Sequence, residues 1–141
     1  MDLQVEVVEN PGEELVDFFE KRLKEFNDRH WEVKEKVPLV VTVRNEANEI
    51  VAGAAGRTFG NWLLLDNLWV SERLRGLDMG SKVLAQMETT AAQRGCKSVL
   101  LDTLNFQAKP FYEKHGYKVE WVMPKYPRDG HKYFMTKELP V

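Results

Sequence analysis

Two stretches of this chain carry residues whose types and spacing could do chemistry. The first is the loop Arg75-Gly76-Leu77-Asp78-Met79-Gly80-Ser81, which runs into a helical apolar pattern. A tight loop at a helix start leaves backbone N–H groups unpaired, and with the helix dipole they form an anion site. Glycine lets the backbone approach an anion with no Cβ in the way, and Arg75 could add a charge-assisted hydrogen bond. The suggested chemistry is phosphate binding; the alternative is a plain βα turn closed by a helix cap. No Gly-Lys-Ser/Thr follows, so a Walker-type nucleotide loop is excluded. Asp78 inside the loop can repel an anion, cap the helix and occupy its N–H groups, or point to solvent and leave its backbone N–H available. The expected arrangement is the last.

The second stretch is Asp66, a lone carboxylate after Leu63-Leu64-Leu65. In a regular strand its side chain shares a face with Leu64 and Leu68. A carboxylate buried there has a raised pKa, which suits a general base. An acid at a bulge, or in a structural ion pair, is the alternative. His30, His115 and His131 are scattered, with no paired metal-binding spacing, so no metal site is expected. His115 closes a short helix and reads as a C-terminal cation. Cys96 follows Gly95 ahead of an apolar strand and reads as core.

The elements that must position these residues follow from periodicity. Leu3, Val5 and Val7 alternate with polar neighbours, as in a strand, and Asn10-Pro11-Gly12 breaks the run. Over residues 13–29, Leu15, Phe18, Phe19, Leu23 and Phe26 fall at helical spacing behind an acidic first turn. Residues 37–43 and 50–58 read as a hairpin around the polar turn at 45–49, and residues 62–70 as a third strand. Gly80, Val83, Leu84, Met87 and Ala91 then mark one face of a helix that Gly95 terminates. Residues 98–103 form a short strand, so strand, loop, helix and strand make a parallel βαβ crossover. A short helix over residues 107–115 and two final strands, 117–123 and 131–138, complete a mixed α+β chain.

The 141 residues fit one domain, residues 1–141. Twenty basic and 22 acidic residues leave a formal charge of -2, which argues against a nucleic-acid partner. One cysteine excludes an internal disulfide and a cysteine-rich zinc site. Residues 1–9 lack the pattern of a secretory signal, and no apolar run approaches the ~20 residues of a membrane span. A cytoplasmic protein with no membrane partner is expected.

The run from Leu68 to Ser81 resembles the acetyl-CoA-binding signature of the GCN5-related N-acetyltransferase (GNAT) superfamily. Arg75 and Gly80 match its outer positions, Gly76 matches a frequent extra glycine, and Asp78 replaces the middle glycine. A second segment, with Asn105, Ala108 and Tyr112 followed by Glu113-Lys114-His115-Gly116-Tyr117, resembles the family's Asn-x-x-Ala…Tyr-Glu-Lys-x-Gly-Phe segment. The resemblance implies a central mixed, mostly antiparallel twisted sheet with one parallel βαβ crossover and helices on both faces.

It further implies direct acetyl transfer from acetyl-CoA to a primary amine in a ternary complex, without a metal. Backbone groups of Leu68, Trp69 and Val70 would meet the pantetheine arm. Arg75, Gly76, Leu77, Asp78, Met79, Gly80 and Ser81 would cradle the pyrophosphate. Asn105 would contact coenzyme A, with a loop or helix cap as its alternative. Tyr112 would protonate the departing thiolate, since a phenol with a pKa near ~10 is protonated at neutral pH. Asp66 is the local candidate for the base or amine-orienting group. A small-molecule amine is preferred to a protein as acceptor, and a homodimer is compatible with the family. An acyl-CoA sensor of the same fold, without turnover, is the alternative function. The aromatic residues Trp31, Trp62, Trp121, Tyr126 and Tyr133 are candidate acceptor walls, more than half of them expected to be core or rim. Residues 124–131 are a candidate lid, and Glu32, Glu35 and Asp129 would favour a cationic acceptor.

Overall fold

A computed structural model of the chain describes residues 1–33 and 35–140. The chain divides into two compact units, Met1–Lys34 and Glu35–Val141. The first contains helix α1 (Glu13–Asn27), with Glu13 and Glu14 in its first turn. On α1, the Phe18 and Phe19 rings meet edge to face at 5.4 Å. The strand expected at Leu3, Val5 and Val7 does not form. Alternation is only half of a strand; the other half is a neighbour that takes its N–H and C=O groups, and no ladder includes these residues.

The second unit holds β1 (Val37–Arg44), β2 (Ile50–Phe59), β3 (Trp62–Val70), α2 (Met79–Gln93), β4 (Ser98–Leu104), α3 (Lys109–Lys114), β5 (Lys118–Pro124) and β6 (His131–Glu138). Its sheet runs β1-β2-β3-β4-β6-β5. Only β3 and β4 are parallel; the other neighbours are antiparallel. The fold class is the mixed, mostly antiparallel one that the residue pattern predicts. The final strand lies beside β4, which leaves β5 as an edge.

Local chemistry explains the joints. Between β1 and β2, the Glu49 N–H donates to Asn45 Oδ1 at 3.0 Å. Strand β2 is glycine-bearing because its neighbours come close. A Cβ at Gly53 would lie 2.5 Å from the Val41 carbonyl oxygen, and one at Gly56 would lie 2.5 Å from that of Leu64. Helix α2 buries Val83, Leu84, Met87 and Ala91 against β1, β2 and β3. Gly95, at φ +93, ends α2 in the left-handed region, as its position predicts. Leu63, Val99 and Met135 complete the fully buried centre. Cys96 is also buried, and its thiol donates to the Gly60 carbonyl at 3.6 Å. Burial pushes that thiol's pKa up, which suits a core residue and not a nucleophile.

Candidate active site

Strands β3 and β4 share only three residue pairs: Trp62 with Ser98, Leu63 with Val99 and Leu64 with Leu100. Past that point both strands continue without pairing to each other. The backbone edge of β3 that faces β4 therefore has no ladder partner over residues 65–70 among the described residues. A cleft of about 370 Å³ lies there, lined by Asp66, Trp69, Asp102, Tyr112, Tyr126 and Lys132 among others.

Asp66 sits at a break in register. Ala55 pairs with Asn67 but Gly56 pairs with Leu65, so Asp66 is the extra, unpaired residue of a β-bulge. The bulge shifts the strand's phase. Leu63 and Leu65 are buried before it, and Leu68 and Val70 pack on the core after it. Asp66 therefore does not share a face with Leu68, contrary to the regular-strand expectation. Nor is it a buried carboxylate. Its side chain is 47% exposed, and Arg57 Nη1 donates to both of its oxygens at 2.6 and 2.7 Å. Burial as the reason for a basic role is thereby removed, while the position on the cleft wall remains.

Tyr112 arises from α3, whose start is held by β4: Thr103 Oγ1 accepts the Ala108 N–H at 3.2 Å. The residue is 7% exposed and its ring meets those of Phe111 and Tyr117 at 5.2 and 5.6 Å. No hydrogen bond among the described residues engages its hydroxyl, yet no fully buried side-chain polar atom lacks a partner. The hydroxyl is thus open to the cleft that Tyr112 lines. Burial, and then the Asp102 charge, raise its pKa above the ordinary value, so it stays protonated and can donate.

A second concavity of about 420 Å³ lies at the start of α2, lined by Arg75, Gly76, Asp78, Gly80, Ser81, Phe111 and Lys114 among others. Gly76 (φ +88) and Asp78 (φ 62) both take left-handed backbone. That conformation suits glycine and is tolerated by Asp. Asp78 stands at the N-cap position but makes no side-chain cap bond. Its exposed carboxylate only accepts a 3.4 Å contact from the Ser81 hydroxyl. The first N–H groups of α2 are left for another acceptor, as expected from an Asp78 that points to solvent. Ser81 also meets His115 Nε2 at 2.8 Å, which ties α2 to the end of α3.

A sequence profile described as Acetyltransferase (GNAT) family matches residues 6–117. The chain belongs to the GNAT acetyltransferase family. It is 35% identical over 95 residues to the blasticidin-S acetyltransferase of Streptomyces morookaense, covering 67% of this chain and 70% of that protein. It is 37% identical over 83 residues to acetyltransferase Atu2258 of Agrobacterium fabrum, where the match spans 59% of this chain but only 61% of the relative. The crystal structure of an acetyltransferase from Bacillus cereus overlays with a TM-score of 0.85 at 29% identity, covering 95% of this chain and 98% of that one.

GNAT enzymes use acetyl-CoA, and the residues of this GNAT chain fit it. The uncapped start of α2, with Arg75 and Lys114 beside it, suits a pyrophosphate. The unpaired edge of β3 at Leu68, Trp69 and Val70 suits an amide-bearing arm that binds as an added strand. No group of three or more His, Cys, Asp or Glu among the described residues could hold a metal.

The structure brings Arg75, Gly76, Asp78, Met79, Gly80 and Ser81, residues 66–70 and Tyr112 around these two concavities, whereas Leu77 is exposed and lines neither. The structure does not bring Asn105 there, since that residue lines neither. Of the five aromatics, Tyr126 lines the cleft. Trp121 stacks on Phe134 at 5.5 Å, and Tyr133 packs on the core while bonding His131 at 2.8 Å. Trp62 borders a separate groove with Lys118 and Glu120. Within the second unit the cleft's acids are Asp66 and Asp102, not Glu35 or Asp129. Asp102, Lys132, Trp69, Phe111 and Lys114 are additions that sequence reasoning missed as side-chain contributors. Asp102 and Lys132 carried a weak signal, being charges within apolar strand patterns.

Proposed function

We propose that this protein is an N-acetyltransferase that moves acetyl from acetyl-CoA to a primary amine of a small molecule. The transfer is a direct attack in a ternary complex. The observation that carries the reading is Tyr112: nearly buried, its hydroxyl without a hydrogen-bond partner among the described residues, on the wall of the cleft where β3 and β4 part.

Acetyl-CoA, when bound, supplies the thioester. Backbone N–H groups at the start of α2, with Arg75, Gly76, Leu77, Asp78, Met79, Gly80 and Ser81, hold its pyrophosphate. The free edge at Leu68, Trp69 and Val70 orients its arm toward the cleft. Tyr112 Oη holds the proton that the leaving sulfur needs. Asp66, fixed by Arg57, orients the acceptor's amine, and the carboxylates of Asp66 and Asp102 favour a cationic acceptor. The protonated amine loses one proton to solvent and a second, through water in the open cleft, that restores the Tyr112 phenol. A small acceptor is supported by a cleft of about 370 Å³ with Tyr126 at its wall, and by a relative named for blasticidin-S.

One observation favours the alternative, an acyl-CoA sensor: Asp66 is engaged by Arg57, so it is not a free base. Two measurements separate the readings. Calorimetry with acetyl-CoA against ATP tests the ligand, and absence of acetyl-CoA binding sinks both. Thiol release over a panel of primary amines, from 1-butylamine through 1,4-diaminobutane to an aminoglycoside, then tests turnover. Binding without release on any amine establishes the sensor.

Asp78 offers a further test. Replacing it by Gly removes a carboxylate from the phosphate loop and supplies the residue that its left-handed backbone prefers. With the carboxylate in solvent, acetyl-CoA affinity should stay within about twofold; repulsion by Asp78 would instead show as binding roughly two- to fivefold tighter, the scale of one charge near a helix terminus. Unchanged or weaker binding in the calorimeter counts against repulsion by this acid.

A further inference from the structure

We propose that Asn105 is a positioning residue for the acceptor wall of the cleft, acting through its Oδ1 on the β5–β6 loop that carries Tyr126. This rests on the acetyltransferase reading of the cleft. Asn105 lies in the turn after β4 and lines neither concavity. Instead it bonds the chain entering β6 twice. Its N–H donates to the His131 carbonyl at 3.0 Å, and the His131 N–H donates to Asn105 Oδ1 at 3.1 Å.

The loop on the other side of that clasp is closed on itself. The Tyr126 N–H donates to the Gly130 carbonyl at 2.8 Å. Gly130 leaves no room for a side chain: a Cβ there would lie 2.7 Å from the Tyr126 carbonyl oxygen and 2.8 Å from Asn105 Oδ1. The Tyr126 ring is in turn placed under Lys132 Nζ, 4.3 Å from its centroid, with Asp102 3.8 Å from the same ammonium. Tyr126, Lys132 and Asp102 all line the cleft. Asn105 thus fixes the base of the loop, where Tyr126 forms part of the wall. Residues 124–131, the candidate lid, are clasped to the turn after β4 through Asn105 and His131.

The amide has two ends, and they separate this role from a contact with coenzyme A. The clasp uses only the Oδ1 acceptor; Nδ2 makes no hydrogen bond among the described residues. Asn105→Ala removes the acceptor, whereas Asn105→Asp keeps it and removes the donor.

Two readouts decide the matter. Amide hydrogen exchange at Tyr126 and His131 reports the clasp whether or not acetyl transfer occurs. In Asn105→Ala, exchange at both amides should accelerate about tenfold or more, and Asn105→Asp should restore it. With the panel amine of highest kcat/KM, Asn105→Ala should raise the acceptor KM about tenfold, with kcat and the acetyl-CoA Kd within about twofold, and Asp should again rescue. Unchanged exchange in Asn105→Ala overturns the clasp, and an unchanged acceptor KM overturns its role in acceptor placement. If Asp behaves like Ala and both weaken acetyl-CoA binding, Nδ2 serves the cofactor and the proposal falls. Failure of every amine to turn over would be a failure of the acetyltransferase reading, and the exchange result would still stand or fall by itself.

Discussion

Tyr112→Phe is expected to lower kcat by about 10², the lower end of what a positioned general acid contributes, with the acetyl-CoA Kd within about twofold. The substitution deletes one oxygen and keeps the ring. Packing against Phe111 and Tyr117 is retained, so a folding defect would not imitate the effect. Among the described residues the hydroxyl has no hydrogen-bond partner to leave orphaned when it is removed. Stopped-flow or thiol-trapping assays at saturating acetyl-CoA read the change directly. Normal turnover would remove Tyr112 from the chemistry and pass the proton to water. The pH dependence carries a sign. Burial and the Asp102 charge both raise the Tyr112 pKa, so the acid form persists through neutral pH and above ~10. Asp102→Asn removes the second cause, so the alkaline fall in kcat attributable to this phenol should begin at a lower pH. In Tyr112→Phe that limb should be absent.

Much of the fold is legible because its signals are local. The Gly60-Asn61 turn, the apolar run after it and the glycine beyond α2 each fix an element within a few residues of where they stand. Strand β3 and strand β6 fall on the predicted residues. What is not local is not legible. The insertion of β6 between β4 and β5 pairs Ser98 with Glu138, forty residues away, and no periodicity encodes that choice. The same holds for the Asp102–Lys132 contact across that pair. Asp66 lies between these cases. The phase change from Leu63 and Leu65 to Leu68 and Val70 is written in the sequence, and the adjacent polar residues Asp66 and Asn67 mark it. A regular-strand reading carries one phase through and puts the carboxylate on the wrong face. Arg57, which holds that carboxylate, comes from the opposing strand and becomes visible only with the register. Asn105 shows the converse. The motif singles out the residue, but its hydrogen-bond partner, His131, is 26 residues downstream.

The largest stability effect is expected at Glu88, outside both concavities. Glu88 Oε2 accepts from the Tyr117 hydroxyl at 2.8 Å and Oε1 accepts from Lys137 Nζ at 2.7 Å. One carboxylate thereby joins α2, the residue before β5, and β6. The Glu88 and Lys137 side chains are 13% and 23% exposed, so water replaces either partner poorly. Glu88→Leu would leave an ammonium and a buried phenol without their acceptor, which costs about 2–4 kcal/mol. The thermal midpoint should fall by roughly 10 °C. Glu88→Gln keeps an acceptor and should cost about 1 kcal/mol. Adding Lys137→Met to Glu88→Leu should recover part of the loss, because an unpaired charge is worse than none. Chemical denaturation of the four proteins checks this; a Glu88→Leu variant within about 0.5 kcal/mol of the parent, the scale of ordinary surface substitutions, would show that solvent already serves these groups. The alkaline behaviour follows with its sign. Burial, the Glu88 charge and its hydrogen bond all push the Tyr117 pKa upward in the folded state. Above pH ~10 the unfolded chain releases this proton while the folded one keeps it, so stability is full below that pH and declines above it. Glu88→Leu removes both causes that Glu88 supplies, leaving burial and the neighbouring Tyr112, and brings the folded pKa closer to the unfolded one. Its stability should therefore be lower at neutral pH and fall less steeply above pH ~10.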